Sequence, residues 1–215
     1  MSIFKLQKVK YSDNEKELSC CFTNGKLYSV YCYDLKNDGI LQDLFQVLAY
    51  LKLPYRGSFL CGGVNIRKFN PTTYRSKVIT IATENNTFLE NMKVIDYLKY
   101  VTNNFENTYD GKVELVDYLE LIYNLLFEFG LDKKKLKTKI KKLNRYERWQ
   151  LKLIESLLKG SDVLLLNKTL DGYDKEILEF RITSLQNLVE NYDICVIILT
   201  EEEEFSNKMD YVINI

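Results

Sequence analysis

Apolar and polar residues alternate along the first third of the chain. Residues 3–11 (IFKLQKVKY) keep the two-residue period of a half-buried strand. ELSCCF (17–22) and KLYSVYCYD (26–34) flank Asn24-Gly25, an arrangement that predicts a hairpin. The period then lengthens. Leu41, Leu44, Phe45, Leu48 and Leu51 recur at helical spacing and predict a helix over about 40–53, ended by Pro54 and Gly57. GSFLCGGVNI (57–66) reads as strand, turn, strand, and KVITIAT (77–83) as another apolar strand. From about 88 to 158 the pattern is helical, with few β-branched runs and no proline. DVLLL (162–166) and ICVIILT (194–200) are apolar without alternation, as strands buried on both faces are. A helix of about 174–191 separates them, and YVINI (211–215) is a short closing strand. Strand, long helix, strand is a crossover unit, which implies a parallel sheet.

Composition narrows the function classes. The 215 residues, 46% apolar and 13% aromatic, suffice for one full core or for one domain with a small inserted lobe. Thirty basic and thirty acidic residues cancel, so no global field points to a nucleic acid partner or an acidic substrate. KKKLKTKIKKLNRYER (133–148) is a basic stretch, read as a solvated helical face in preference to a contact with an anionic surface. EEEE (201–204) reads as a solvated helix start, where acidic side chains suit the macrodipole. Trp149 and the tyrosines read as core or subunit packing. No apolar run reaches transmembrane length and no signal peptide opens the chain, which predicts a cytoplasmic protein. The five cysteines (Cys20, Cys21, Cys32, Cys61 and Cys195) have no zinc spacing, so no metal is expected and buried free thiols are. Cys20 and Cys21 should point to opposite faces of their strand. There is no histidine, which removes the usual general base and with it Ser-His and Cys-His catalysis.

Over nearly the whole chain the order of elements resembles the ATP-binding domain of an ABC transporter. LNRYERWQLKLIESLLKGSDVLLLNKTLDGYD (143–174) lies without a gap on that family's signature motif, helix, Walker B strand and D-loop. CVIILTEEEEFSNKMDYVINI (195–215) lies on the strand before the switch histidine and on the closing segment. LFQVLAYLKLPYRGSFLCGGVNI (44–66) is similar to the helix after the phosphate loop and the strand that follows it. The resemblance implies an α/β, P-loop NTPase-like fold. A mostly parallel sheet would carry an N-terminal antiparallel β subdomain and an inserted helical subdomain. The α/β core would take about 1–84 and 146–215, and the helical subdomain about 85–145.

At each active position the sequence departs from the family pattern. The phosphate loop, G-x-x-x-x-G-K-[ST], falls on LKNDGILQD (35–43), including Leu35, Asp38, Gly39, Ile40, Leu41 and Gln42. Neither register supplies a lysine followed by Ser or Thr, and Asp34 and Asp38 would add negative charge where phosphate should lie. The Walker B pair of carboxylates falls on Asn167, a poor magnesium ligand, and Lys168, whose charge would repel magnesium. The signature motif falls on Leu143, Asn144, Arg145, Tyr146 and Glu147, the Q-loop glutamine on Thr83 and the switch histidine on Glu201. Asp174 matches the D-loop aspartate, and Tyr11 lies near where an aromatic stacks on adenine.

The departures predict a pseudo-ATPase: no enzyme, no nucleotide cofactor and no metal. The family's head-to-tail dimers place each ATP between one phosphate loop and the partner's signature motif. This chain departs at both, which implies a structural or regulatory subunit of a transporter. The partner would be a membrane permease or a related ABC ATPase, with a dimer as one arrangement, on the cytoplasmic face. Thr83, Phe88, Leu89 and Tyr97 would line the groove that takes a permease helix. The alternatives are a soluble scaffold or regulator and a divergent nucleotide sensor. The vacant phosphate pocket should also neutralise itself, with Lys168 paired to Asp34, Asp38 or Glu201; the alternative is that side chains from 35–42 collapse into the space where phosphate would lie.

Overall fold

Strands with two apolar faces are satisfied only inside a covered sheet. The computed structural model, which describes residues 2–13, 17–32, 39–83, 89–103, 115–206 and 208–215, places them there. In chain order the elements are β1 (Ser2–Lys10), β2 (Leu18–Thr23), β3 (Leu27–Tyr31), α1 (Ile40–Leu48), β4 (Arg56–Cys61), β5 (Val64–Asn65), α2 (Pro71–Thr73) and β6 (Ile79–Thr83). They continue with α3 (Val94–Asn103), α4 (Leu115–Glu128), α5 (Arg145–Leu158), β7 (Val163–Asn167), α6 (Lys175–Tyr192), β8 (Cys195–Thr200), α7 (Glu203–Ser206) and β9 (Tyr211–Asn214). The chain forms two units, Met1–Glu84 with Asp162–Ile215, and Asn85–Ser161.

The first unit holds both sheets. One is parallel, in the order β6-β7-β8-β3-β9; the other is antiparallel, in the order β2-β1-β4-β5. This is the expected α/β class with its parallel sheet and N-terminal antiparallel sheet. Val163 to Leu166 and Cys195 to Leu199 are fully buried, so β7 and β8 have no solvated face. The buried stripe of α1 (Ile40, Leu41, Leu44, Phe45, Val47 and Leu48) packs against these two strands. In β1, Phe4 and Leu6 are buried but the next buried residue is Val9, so the alternation slips by one. A bulge at Lys8 (φ 47°) absorbs the slip. Gly57 lies opposite: a Cβ there would come within 2.1 Å of the Lys8 carbonyl oxygen, so only glycine fits.

Two local expectations are corrected here. Asn24-Gly25 does turn the chain, but β2 and β3 do not pair; β2 joins the antiparallel sheet and β3 the parallel one. The reason is burial: β2 has an exposed face, whereas Leu27 to Val30 of β3 are buried throughout. The helix expected over 40–53 stops at Leu48. Tyr50 turns left-handed (φ 51°), the Tyr50 N–H donates to the Val47 carbonyl and the Leu51 N–H to the Gln46 carbonyl, a Schellman ending without glycine. Leu51, assigned to the apolar stripe, is 58% exposed.

The second unit is helical. Trp149, Leu151, Leu153 and Ile154 of α5 are buried, as are Leu98 of α3 and Ile122, Leu125 and Leu126 of α4. Only the end of the basic stretch, from Arg145, lies in a helix, α5; Lys133–Lys137 and Ile140–Lys142 are separate 3₁₀ turns that bury Leu136 and Ile140. No helix among the described residues is long and apolar enough to cross a membrane. The cysteines are free; Cys32, Cys61 and Cys195 are buried, but Cys21 is exposed.

A charged cluster is also enclosed in this unit. The Glu155 carboxylate accepts from the Tyr97 hydroxyl (2.6 Å) and the Lys152 ammonium (2.7 Å). Burial holds the nearby Lys159 ammonium down to about 8; Glu155 opposes that shift and Lys152 adds to it. The unfolded chain therefore binds more protons between about pH 8 and the ordinary lysine value, so stability rises with pH across that window. Lys159→Met is expected to be more stable than the wild type at pH 7, with the margin closing by about pH 10. Urea unfolding at the two pH values checks this.

Candidate functional site

Open α/β sheets bind ligands at the carboxyl ends of their strands, beside a switch in strand order. Here β7 ends in Asn167 and is followed by Lys168, and β8 ends in Thr200 and is followed by Glu201 and Glu202. Lys168 takes the left-handed region (φ 52°), which turns its side chain across the strand end. Its N–H donates to the Leu199 carbonyl at 2.9 Å, and its ammonium pairs with the Glu201 carboxylate. Of the three acids expected to neutralise Lys168, Glu201 therefore does so; Asp34 and Asp38 lie outside the described residues. Asn167 donates from Nδ2 to Gln42 Oε1 (3.1 Å), joining β7 to the start of α1. The Asn167 Oδ1 is buried without a hydrogen bond among the described residues.

The loop between β7 and α6 is held on several sides. Asp171 accepts from the Thr200 hydroxyl at 2.7 Å and from the Glu201 N–H at 3.4 Å. Burial raises its carboxyl above the ordinary range, and these two hydrogen bonds only partly offset that. Glu202 accepts from the Gly172 N–H at 2.6 Å. From α6, Arg181 donates to the Thr169 carbonyl at 2.8 Å, with its guanidinium 3.8 Å from the centre of the Tyr173 ring. Glu201 and Glu202 are thus tied into this edge, not merely solvated as their charge run suggested. Asp171 and Arg181 escaped the sequence reading. The available signals were an acid just after a buried strand and an arginine on the apolar face of α6, beside Leu178, Ile182 and Leu185.

The remaining named residues are placed as follows. Gly39 precedes α1, and Ile40 and Leu41 are buried in its first turn; Leu35 and Asp38 lie outside the described residues. Asp174 precedes α6 at the N-cap, without a side-chain capping bond. Asn144 and Glu147 form a reciprocal capping box that starts α5, with Arg145 and Tyr146 in its first turn. Thr83 ends β6 and is half-buried, and Leu89 is exposed; Phe88 lies outside the described residues. Two placements need correction. Tyr97 is buried and bonded to Glu155, so it lines no open surface. Tyr11 is 1% exposed in the core, where no adenine could stack on it, and burial pushes its hydroxyl up to about 12.

The donor set can be tested against the groups such a fold implies. Magnesium requires converging oxygens. Among the described residues no cluster of three His, Cys, Asp or Glu is disposed to hold a metal, and an ammonium follows the end of β7. Magnesium does not fit these residues. A phosphate oxygen does suit the Lys168 ammonium, as the Glu201 carboxylate does.

No protein-family model matches this chain. It is 22% identical over 217 residues to an uncharacterised ABC transporter ATP-binding protein, YclH, of Bacillus subtilis (strain 168), covering 98% of this chain and 92% of that protein. Its structure is similar to the dimeric MJ0796, a bacterial ABC transporter cassette, with a TM-score of 0.77 at 14% identity, covering 99% and 94% of the two chains. The fold is that of an ABC ATP-binding cassette. The chain is also similar in structure to cbiO1 of Clostridium perfringens, part of the ABC transporter complex cbiONQ (TM-score 0.73, 16% identity, 94% and 79% covered).

These likenesses correct the expectation that the chain is no enzyme. The proteins it resembles are ATP-binding cassettes, and MJ0796 is also known in a post-hydrolysis state bound to ADP and Pi. Changed motif residues do not by themselves establish lost chemistry. The strand edge nevertheless carries charged groups, and nothing in the structure shows the chain inactive.

The backbone of Lys168 gives a direct test of this geometry. Lys168→Gly and Lys168→Ala both remove the pair with Glu201, but only alanine keeps the left-handed strain. The glycine variant is expected to be more stable than the alanine variant by about 1 kcal/mol in urea unfolding.

Proposed function

We propose that this chain is an ATP-binding subunit of an ABC transporter, seated on a membrane permease at the cytoplasmic face and paired with a second cassette. The observation that carries this reading is the extent of the likeness. It runs over 98% of the chain to an ABC transporter ATP-binding protein and over 99% to a dimeric cassette.

Within that assembly the altered strand edge gives the subunit a regulatory character. A nucleotide phosphate arriving at the carboxyl ends of the strands meets the Lys168–Glu201 pair. It must compete with the Glu201 carboxylate for the same ammonium. Binding therefore releases Glu201 and loosens one tie on the loop that Asp171 and Glu202 also hold. Recognition at this edge rests on a lysine in place of a carboxylate-held cation.

Two measurements test the two halves of the reading. Purification of the tagged chain from its native cell in mild detergent is expected to recover a multi-span membrane protein and a second cassette. Recovery only as a free monomer would count against the transporter assignment. Calorimetric titration with ATP is expected to give a saturable signal with a dissociation constant on the order of micromolar, weakened at least about tenfold by Lys168→Met. Absence of any signal from the wild type would overturn the nucleotide-binding half and leave the assembly half standing.

A further inference from the structure

Charge in this neutral chain is segregated. Residues 129–142 contain seven lysines (133, 134, 135, 137, 139, 141 and 142) and a single acid, Asp132. That leaves twenty-three basic against twenty-nine acidic residues elsewhere. Between Lys133 and Lys142 no acid is interspersed among the lysines. The 3₁₀ turns, Lys133–Lys137 and Ile140–Lys142, direct Leu136 and Ile140 inward and leave the lysines outside. Lys135 pairs with Glu147 at 2.7 Å. The other six are exposed, and among the described residues none of them has an ion-pair partner. Lys139 lies beside Lys93 in an antiparallel bridge, and both are exposed.

An apolar feature adjoins this charge. The Lys133 ammonium lies 4.6 Å from the centre of the Tyr123 ring. Tyr123 and Phe127 are four residues apart on α4 and so share one face. Phe127 is 87% exposed, and Leu121 on the same helix is 45% exposed. A phenylalanine this open makes almost no contribution to its own core, and its burial against something else would be favourable.

We propose that this face of the helical unit binds an anionic lipid surface, with the lysines at the headgroups and Phe127 inserted at the headgroup–acyl boundary. Lysines beside a bilayer with anionic lipids draw a segment onto it, and an aromatic ring adds apolar burial that a purely ionic contact lacks. The chemistry favours lipid over nucleic acid. The exposed cations are lysines without the forked geometry of arginine, and Phe127 stands out from a helix face instead of lining a groove that could track a strand. The proposal is independent of the nucleotide edge and involves residues of the helical unit alone.

Co-sedimentation of the full chain with vesicles tests it. Vesicles of mixed phosphatidylcholine and phosphatidylserine are expected to bind the chain, and phosphatidylcholine alone to leave it in solution. Binding should disappear at about 1 M salt, where the Debye length is about 3 Å. Glutamine at Lys133, Lys134, Lys141 and Lys142 together should weaken it at least about tenfold, and Phe127→Ser about fivefold. All five positions are solvent-facing, and unchanged circular dichroism will show that the variants fold. Equal behaviour toward the two vesicle types, or either variant binding as well as the wild type, overturns the proposal. So does displacement from the vesicles by an equal mass of transfer RNA.

Discussion

The whole α/β unit depends on two strands that have no polar face. Val163 to Leu166 and Cys195 to Leu199 must be covered on both sides, and only the middle of a parallel sheet provides that. Burying a side chain of this size is worth about 1.5–3 kcal/mol, so nine adjacent positions outweigh most local preferences. The same constraint draws β3 away from its neighbour β2 and into the sheet beside β8. It also explains α1, whose six buried residues cover the strands from one side.

A strand that is apolar along its length must end abruptly in polar residues, and the carboxyl ends of β7 and β8 do so side by side. Their parallel register sets Asn167 opposite Leu199, so that Lys168 and the residues after Thr200 emerge together. The Lys168–Glu201 pair follows from that proximity. Its side chains are 33% and 29% exposed, so the pair is screened and worth at most about 1 kcal/mol. The pair is therefore weak enough to exchange for another anion. Bonds from Thr200 to Asp171 and from Gly172 to Glu202 add further ties between the same two strand ends.

The sequence makes the framework legible because the framework is written in burial. Alternation, continuous apolar runs and helical spacing report directly on which faces are covered. The class and the order of strands along the chain follow from them. What escapes is decided by single backbone conformations or by distant neighbours. Tyr50 ends α1 in a left-handed conformation that no residue type signals, so Leu51 looked like part of the stripe. Asn24-Gly25 has the composition of a hairpin turn, but its two flanks differ in burial and go to different sheets. Tyr11 and Tyr97 are aromatic residues at promising positions whose rings pack inward. The inference from changed motif residues to absent activity failed for another reason. It weighed single positions, whereas the likeness to ATP-binding cassettes runs over 98% of the chain.

Segregated charge adds a separate constraint on the helical unit. Among the described residues, six ammonium groups without an ion-pair partner lie within ten residues and repel one another. Their backbone is kept in place by other means: Leu136 and Ile140 are buried between the lysines, and the Asp132 carboxylate accepts from the Lys134 N–H at 2.8 Å. An arrangement that is costly in isolation and yet firmly built is what the proposed lipid contact would compensate. The exposed ring of Phe127 is costly in the same way, because water gains nothing by contact with it. A surface that is anionic at its face and apolar just beneath relieves both costs in a single contact.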